Sequence, residues 1–239
     1  MKSLFYILSI VPKNIFSYFV DIFLFLKFFK LTKAYKITKI NLKIAYPEAS
    51  KFEIELLSKL SIRETIISGY ETIYTWGRRD FDINKNILKV ENNFLIKSLL
   101  EKNNGLIAVT FHNRSVDMLL KWINSQIKTT SLYKKIKINK LNNFVKEDRE
   151  SSGSETFETS IGGVRRLFKA LKNKKSAVFA ADQVPSRGLG EYIKFFNKEA
   201  YTTTLIQSLA VKTRAPVVYF YLNSNMKGFL SIIIKRCNE

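Results

Sequence analysis

The sequence predicts an α/β protein: a mixed, mostly parallel sheet with helices on both faces, preceded by an N-terminal hydrophobic anchor helix and a helical segment. Three observations carry this expectation. From Gly105 onward, short apolar runs of strand length alternate with segments of helical period, the order that builds a layered α/β sheet. Residues 31–104 read as helix and loop, with a long helix whose apolar face runs from Leu56 to Tyr74. Ahead of both, residues 4–29 form the most apolar stretch of the chain.

With 239 residues the chain is long enough for one large domain, or a domain with a small appendage, and for a real core. Hydrophobic residues at 46% against 25% charged exclude a disordered chain. Forty Lys and Arg against twenty Asp and Glu give a net charge of +20. Such a field favours polyanions, whether nucleic acid, an acidic membrane, phosphorylated lipids or an acidic carrier protein, and does not choose among them. The single cysteine, Cys237, excludes an internal disulfide. With one histidine and one cysteine there is no zinc-type ligand set, so no metal site is expected.

The elements follow in order. Lys13, Asn14, Asp21 and Lys27 interrupt the apolar stretch, and its cleanest run falls short of the ~20 residues of a spanning helix. A small-residue cleavage site does not follow, which argues against a secretory signal. Residues 1–30 therefore read as a membrane-seated anchor helix, tilted or partly inserted, the alternative being a buried core helix. Lys27, Lys30, Lys33, Lys36, Lys39 and Lys43 give it a basic flank suited to an anionic cytoplasmic leaflet. Tyr46-Pro47 ends the next helical piece. The spacing of Ser50 and Glu53 is a capping box that opens a long helix through about Trp76, its apolar face built from Leu56, Leu57, Leu60, Ile67, Tyr70, Ile73 and Tyr74. Residues 31–104 thus read as helix and loop packing on a core formed by residues 105–239.

Leu106–Phe111 reads as a buried strand. Val116, Leu119, Leu120 and Ile123 then fall at i, i+3, i+4 and i+7, one apolar stripe of a helix. The only histidine, His112, is thereby expected at the carboxyl end of a strand, in the turn that opens a helix, where open α/β sheets hold their ligands. Asp117 lies five positions on. A carboxylate in reach of an imidazole fixes its tautomer and stabilises the imidazolium, so the pair could deprotonate an alcohol or amine. Asp117 also suits the first turn of a helix capped by Ser115, with no chemistry implied.

Further along, a strand is expected at Thr129–Tyr133, a polar helix at Asn139–Glu150 broken by residues 151–154, and a helix from Gly162-Gly163 through Lys172. That helix carries Val164, Leu167, Phe168 and Leu171 on one face, with Arg165, Arg166, Lys169 and Lys172 elsewhere. Ser176–Ala181 reads as a buried strand and residues 184–190 as a loop. A short element at Tyr192–Phe196, a helix over residues 203–213, strands at Val217–Leu222 and Phe229–Ile234, and a hairpin-like turn at Asn223–Gly228 complete the chain.

The order of several of these pieces resembles the lipid A late acyltransferase family. They are the His-x4-Asp element of His112 and Asp117, then Ala180-Ala-Asp-Gln183, a Gly-containing loop, the run from Phe195-Phe196 to Thr203, and the run from Leu209 to Val218. Upstream, Asn41-Leu42, Ala45-Tyr46-Pro47-Glu48, Glu71 and Trp76 extend the resemblance to roughly residues 1–235. It implies a bacterial inner-membrane enzyme, its active site on the cytoplasmic side, that moves a fatty acyl chain from acyl carrier protein to a hydroxyl of a lipid A precursor. It implies neither a cofactor nor a covalent enzyme intermediate. On this resemblance His112 is the general base and Asp117 orients it, while Lys134, Arg149, Asp182 and Gln183 line the cleft and bind substrate. The implied partners are acyl carrier protein, an anionic membrane and a phosphorylated glycolipid acceptor, with no nucleic acid.

Three departures accompany the resemblance. Asn113-Arg-Ser-Val116 stands where the family commonly has a Gly-Asn-Trp-like filling. Lys134 stands where it has arginine, a point charge in place of a bidentate fork. The chain is also expected to be shortened at its C-terminus relative to the family. A related acyltransferase acting on a lysophospholipid or another glycolipid is the alternative enzyme, but the Phe-Pro-Glu-Gly-like motif usual in glycerolipid acyltransferases is absent. A catalytically inactive, basic, membrane-attached lipid-binding protein is the alternative of another class. RNA recognition would need an aromatic stacking platform, whereas Phe and Tyr here sit mainly at apolar-face positions. A covalent transacylase would need a Gly-x-Ser-x-Gly elbow, or a base near Cys237 in sequence.

Overall fold

The computed structural model describes residues 2–78, 85, 87–101, 105–224 and 229–237. The chain divides into two compact units, residues 2–78 with 194–199 and residues 79–193 with 200–239.

The first unit is helical: α1 (Lys2–Ile10), α2 (Lys13–Phe25), a 3-10 turn (Phe28–Leu31), α3 (Lys33–Ala45) and α4 (Lys51–Gly77). The single anchor helix expected over residues 1–30 is replaced by two helices bent by 80°. Pro12 explains the break: it stands extended at the N-cap of α2, has no N–H to offer a continuous helix, and cannot tolerate one preceding it without a clash. Among the described residues no single helix is long and apolar enough to cross a membrane. The charges that interrupt the apolar stretch dock α2 on α4. Lys13 pairs with the buried Glu71 at 2.7 Å, and Arg63 Nε and Nη2 grip Asp21 at 2.7 and 3.1 Å. Around them pack Val20, Leu24, Phe29, Tyr35, Ile62 and Ile67. The capping box opens α4 as its sequence requires: Ser50 Oγ accepts the Glu53 N–H at 3.2 Å and the Glu53 carboxylate accepts the Ser50 N–H at 2.7 Å. At the other end of α4, Gly77 lets α1 approach closely, since a Cβ there would lie 2.4 Å from the Phe5 carbonyl oxygen.

The second unit holds a seven-stranded sheet among the described residues. Its strands are β1 (Ile87–Glu91), β2 (Ile107–Thr110), β3 (Thr129–Tyr133), β4 (Glu155–Glu158), β5 (Ser176–Ala180), β8 (Val217–Ser224) and β9 (Leu230–Arg236), in the spatial order β1-β9-β8-β2-β5-β3-β4. A separate hairpin pairs β6 (Gly190–Phe195) with β7 (Lys198–Thr203). All neighbours in the large sheet are parallel except β8 and β9, so β1 and β9 run against the other five. The helices are α5 (Phe94–Glu101), α6 (Val116–Gln126), α7 (Asn139–Glu150), α8 (Ile161–Lys172) and α9 (Leu205–Thr213).

Two cores lie on the two faces of the sheet, and β2 is buried along its whole length. Its side chains alternate as a strand's must. Ile107 and Val109, with Ala177 and Phe179 of β5, pack under Leu167 and Leu171 of α8 and Leu209 of α9. Ala108, with Val178, Val218 and Phe220, packs under Leu99 of α5 and Met118, Trp122 and Ile123 of α6. The chain leaving β2 therefore turns to one face and the chain leaving β5, its neighbour, reaches α9 on the other. That reversal opens a crevice beyond the carboxyl ends of β2 and β5, the switch point at which such sheets bind ligands.

Three elements differ from the sequence expectation. Ile87–Glu91, read as helix and loop, is an edge strand. Glu155–Glu158, which follows the break at residues 151–154 and carries no strand signal, is the opposite edge. Residues 198–203, the last of which was assigned to a helix, form β7, joined to β6 through Phe196 and Asn197, both left-handed at φ 48° and 57°. The antiparallel pairing of β8 with β9 agrees with a hairpin connection, whose residues 225–228 lie outside the described residues.

Candidate active site

The register of the sheet builds the site. β2 and β5 pair so that Thr110 stands opposite Ala180, and the Ala181 N–H donates to the Thr110 carbonyl at 2.9 Å, carrying the ladder one step further. His112 and Asp182 each follow two residues later, and so meet across the crevice. His112 Nδ1 lies 2.7 Å from Asp182 Oδ1, and the His112 backbone N–H donates to Asp182 Oδ2 at 2.7 Å. One carboxylate thus holds both the ring and the main chain of the histidine. Burial pushes the Asp182 carboxyl up, but the hydrogen bonds from the His112 ring and backbone outweigh it and hold the group below its ordinary value. An ionised carboxylate only accepts, so it fixes the imidazole proton on Nδ1 and leaves the Nε2 lone pair available. The side chains of His112 and Asp182 are 45% and 34% exposed, accessible to a bound substrate.

Asp117 is not the group on the His112 ring. It stands in the first turn of α6, which Ser115 caps by accepting the Met118 N–H at 3.3 Å. Its Oδ1 accepts from both Nε and Nη2 of Arg149, at 2.9 and 2.7 Å. Arg149 lies in the last turn of α7, and its fork draws the carboxylate toward that helix. Two more contacts join the same helices: Lys121 to Asp148 at 2.9 Å, and Asn124 Nδ2 to the Arg149 carbonyl at 3.2 Å. The expected pairing of His112 with Asp117 is accordingly corrected to two pairs, His112 with Asp182 and Asp117 with Arg149.

The residues between them tie the turn to β8. Asn113 Nδ2 donates to the Leu222 carbonyl at 2.9 Å, and Arg114, buried, donates from Nη1 to Ser224 Oγ at 2.8 Å. The departure at Asn113-Arg114 is therefore a clamp on the loop that carries His112. Lys134 and Gln183 follow β3 and β5, are exposed, and make no hydrogen bond or ion pair with other described residues. Sequence reasoning missed Arg114, and also Thr110, whose buried hydroxyl has no hydrogen-bond partner among the described residues. The available signal was a polar residue closing an otherwise apolar strand, directly before the histidine turn. Among the described residues no three metal-ligating side chains come together.

A histidine whose Nδ1 is held by a carboxylate and whose Nε2 is open can take a proton from a hydroxyl and return it to a leaving group. No curated protein matches the chain. The family model described as bacterial lipid A biosynthesis acyltransferase matches residues 3–235.

Proposed function

Because the chain belongs to the bacterial lipid A biosynthesis acyltransferase family, and is on that ground an acyltransferase, we propose that it moves a fatty acyl group from acyl carrier protein to a hydroxyl of a lipid A precursor, with His112 as general base. The observation that carries this reading is the carboxylate at 2.7 Å from His112 Nδ1, at the switch point of the sheet. Nε2 takes the proton of the acceptor hydroxyl as its oxygen attacks the thioester carbonyl. The imidazolium formed is stabilised by Asp182. When the carbon–sulfur bond breaks, the proton passes from Nε2 to the departing thiolate, so that ester and thiol leave together and the enzyme is unchanged. No enzyme nucleophile enters the scheme.

In this reading Asp117 and Arg149 are positioning residues: they fix the start of α6, and with it the turn that bears His112. Lys134, exposed beyond β3 and without an ion pair among the described residues, is a cation suited to an acceptor phosphate, and Gln183 lies on the loop next to Asp182. The exposed cations of α8, Arg165, Arg166, Lys169 and Lys172, share their helix with no acidic residue and suit an acidic carrier protein. The place of action is the cytoplasmic leaflet of the bacterial inner membrane, where such an acceptor and a soluble carrier meet.

The test is mass spectrometry of lipid A and phospholipids from cells with and without the gene. Loss of one acyl chain from lipid A, restored by the wild-type gene and not by His112→Ala, is the expected result. An unchanged lipid A with altered phospholipids would transfer the reaction to a lysophospholipid acceptor.

A further inference from the structure

The helical unit contains an open cavity of about 480 Å³, well within the range of small-ligand sites. Its apolar wall is made by the buried Leu24 and Phe29 and by Phe25, Phe52 and Leu56, which stand on its rim; Phe25 and Phe52 are each 77% exposed. Three lysines and one carboxylate complete the lining. The carboxylate, Glu55, is already satisfied: it accepts from Lys30, from Lys39 at 2.8 Å and from the Tyr35 hydroxyl at 2.5 Å. These contacts hold it down at about 2. Lys27 and Lys59 make no ion pair within 4 Å among the described residues; the one carboxylate whose charge Lys59 feels, Asp21, is already gripped by Arg63, so the mouth keeps two cations without a contacting carboxylate above an apolar floor.

We propose that this cavity seats one anionic phospholipid from a bilayer surface, its headgroup on Lys27 and Lys59 and an acyl chain against Phe25, Phe52 and Leu56. The charge selects an anion, and the apolar lining selects an anion with a hydrocarbon tail. The surroundings select a membrane over a soluble amphiphile. Leu26, Phe28 and Leu31 beside the cavity are all largely exposed, the pattern of a segment lying in an interface. Lys27 occupies a left-handed position, φ 60°, that glycine would fill without strain, so a lysine there is held against the local backbone preference. This seat does not depend on the acyl-transfer reading.

The experiment is a calorimetric titration of the full chain with monomeric dihexanoyl phosphatidylglycerol, with dihexanoyl phosphatidylcholine as the neutral comparison. We expect one saturable site per chain for the anionic lipid and weaker binding of the neutral one. The double variant Lys27→Gly, Lys59→Gln should lose roughly tenfold or more, each lysine being a full charge at the headgroup. Lys27→Gly also relieves the backbone, so a loss of binding will not be a loss of folding, and a melting curve checks this. Leu56→Trp, which fills the exposed rim, should abolish binding. Lys36→Gln with Lys43→Gln, which removes the same charge from α3, should leave affinity within about twofold because those lysines do not line the cavity. Equal losses for the two pairs, equal affinity for both lipids, or no saturable binding would each overturn the proposal.

Discussion

Replacing Asp182 by asparagine separates the two carboxylates near the histidine. The exchange keeps shape and removes charge, but the geometry makes it harsher than that. Asp182 accepts twice from His112, once from the ring and once from the backbone N–H. An asparagine has one oxygen to offer. If that oxygen takes the backbone N–H, its amide group faces Nδ1 and drives the ring to the Nε2–H tautomer, which is no base. If it takes Nδ1–H, two N–H groups are left facing each other. The electrostatic part lies between ~1 kcal/mol in bulk water and ~4 kcal/mol near a protein surface for charges about 4 Å apart, and partial exposure of the pair keeps it below the upper figure. With the tautomer added, the whole approaches the ~10⁴-fold cost of the same exchange in a serine-protease triad. We expect Asp182→Asn to lose ~10²-fold or more in kcat with a melting temperature within a few degrees of wild type. The matched variant Asp117→Asn breaks a partly buried pair with Arg149 and should lose stability first, about 1–3 kcal/mol, with a smaller fall in rate. The assay is transfer of a labelled acyl chain from carrier protein to acceptor by purified protein, beside a thermal melt. A fully active Asp182→Asn together with a folded but dead Asp117→Asn would refute the assignment and return the orienting role to Asp117.

Two adjacent glycines should respond with opposite sign. Gly162→Ala meets only Ser160 Oγ at 3.7 Å and should stabilise by about 0.5–1 kcal/mol, whereas Gly163→Ala places a Cβ 2.2 Å from the Glu158 carbonyl oxygen and should cost about 1–3 kcal/mol. Thermal melts resolve both, at roughly 2–4 °C per kcal/mol for a chain of this size, and a shift of the same sign in both variants would contradict the packing of α8 against the end of β4. The depressed Glu55 carboxyl ties stability to pH: its contribution is complete above the ordinary value of 4.5 and is lost as pH falls through about 2. Urea titrations of wild type and Glu55→Gln should therefore converge as pH drops across that window, and a difference independent of pH would exclude the Lys30, Lys39 and Tyr35 contacts as its source.

The middle of the sheet was readable because β2 and β5 carry strand-length apolar runs and β3, Thr-Thr-Ser-Leu-Tyr, is a short run rich in residues that favour strands, each lying between helices of clear period. The edges were not. β1 alternates around Lys89 and Glu91, and β4 is Glu-Thr-Phe-Glu, so both show the polar composition of loops; β1 gains its hydrogen bonds from β9 far along the chain, and β4 gains its own from β3 across the intervening helix. The same distance hid the partner of His112. Its turn at the end of β2 follows from local pattern, but Asp182 comes 70 residues later and reaches it only because β5 inserts next to β2 in that register. Asp117, five residues away, had the shorter spacing and lost to a guanidinium on another helix. Pro12 was visible in the sequence, and the bend it imposes outweighed the apolar continuity across it. Lys13 and Asp21, which looked like flaws in a membrane segment, are the contacts that hold α2 to α4.

The pairing of β1 with β9 also sets an order of events during synthesis. Asn92, at the end of β1, bonds the Ile234 carbonyl across 142 residues, so the edge of the sheet stays open until the strand holding Ile234 has been made. At ribosomal speed that interval is roughly seven to thirty seconds. The contacts of α2, α3 and α4 close over much shorter spans, which favours early and rapid folding of the helices. The nascent chain should thus own its four N-terminal helices, with their cationic cavity, well before it owns a sheet. Attachment to a surface at that stage would keep an incomplete, edge-exposed sheet apart from its neighbours until β9 arrives to close it.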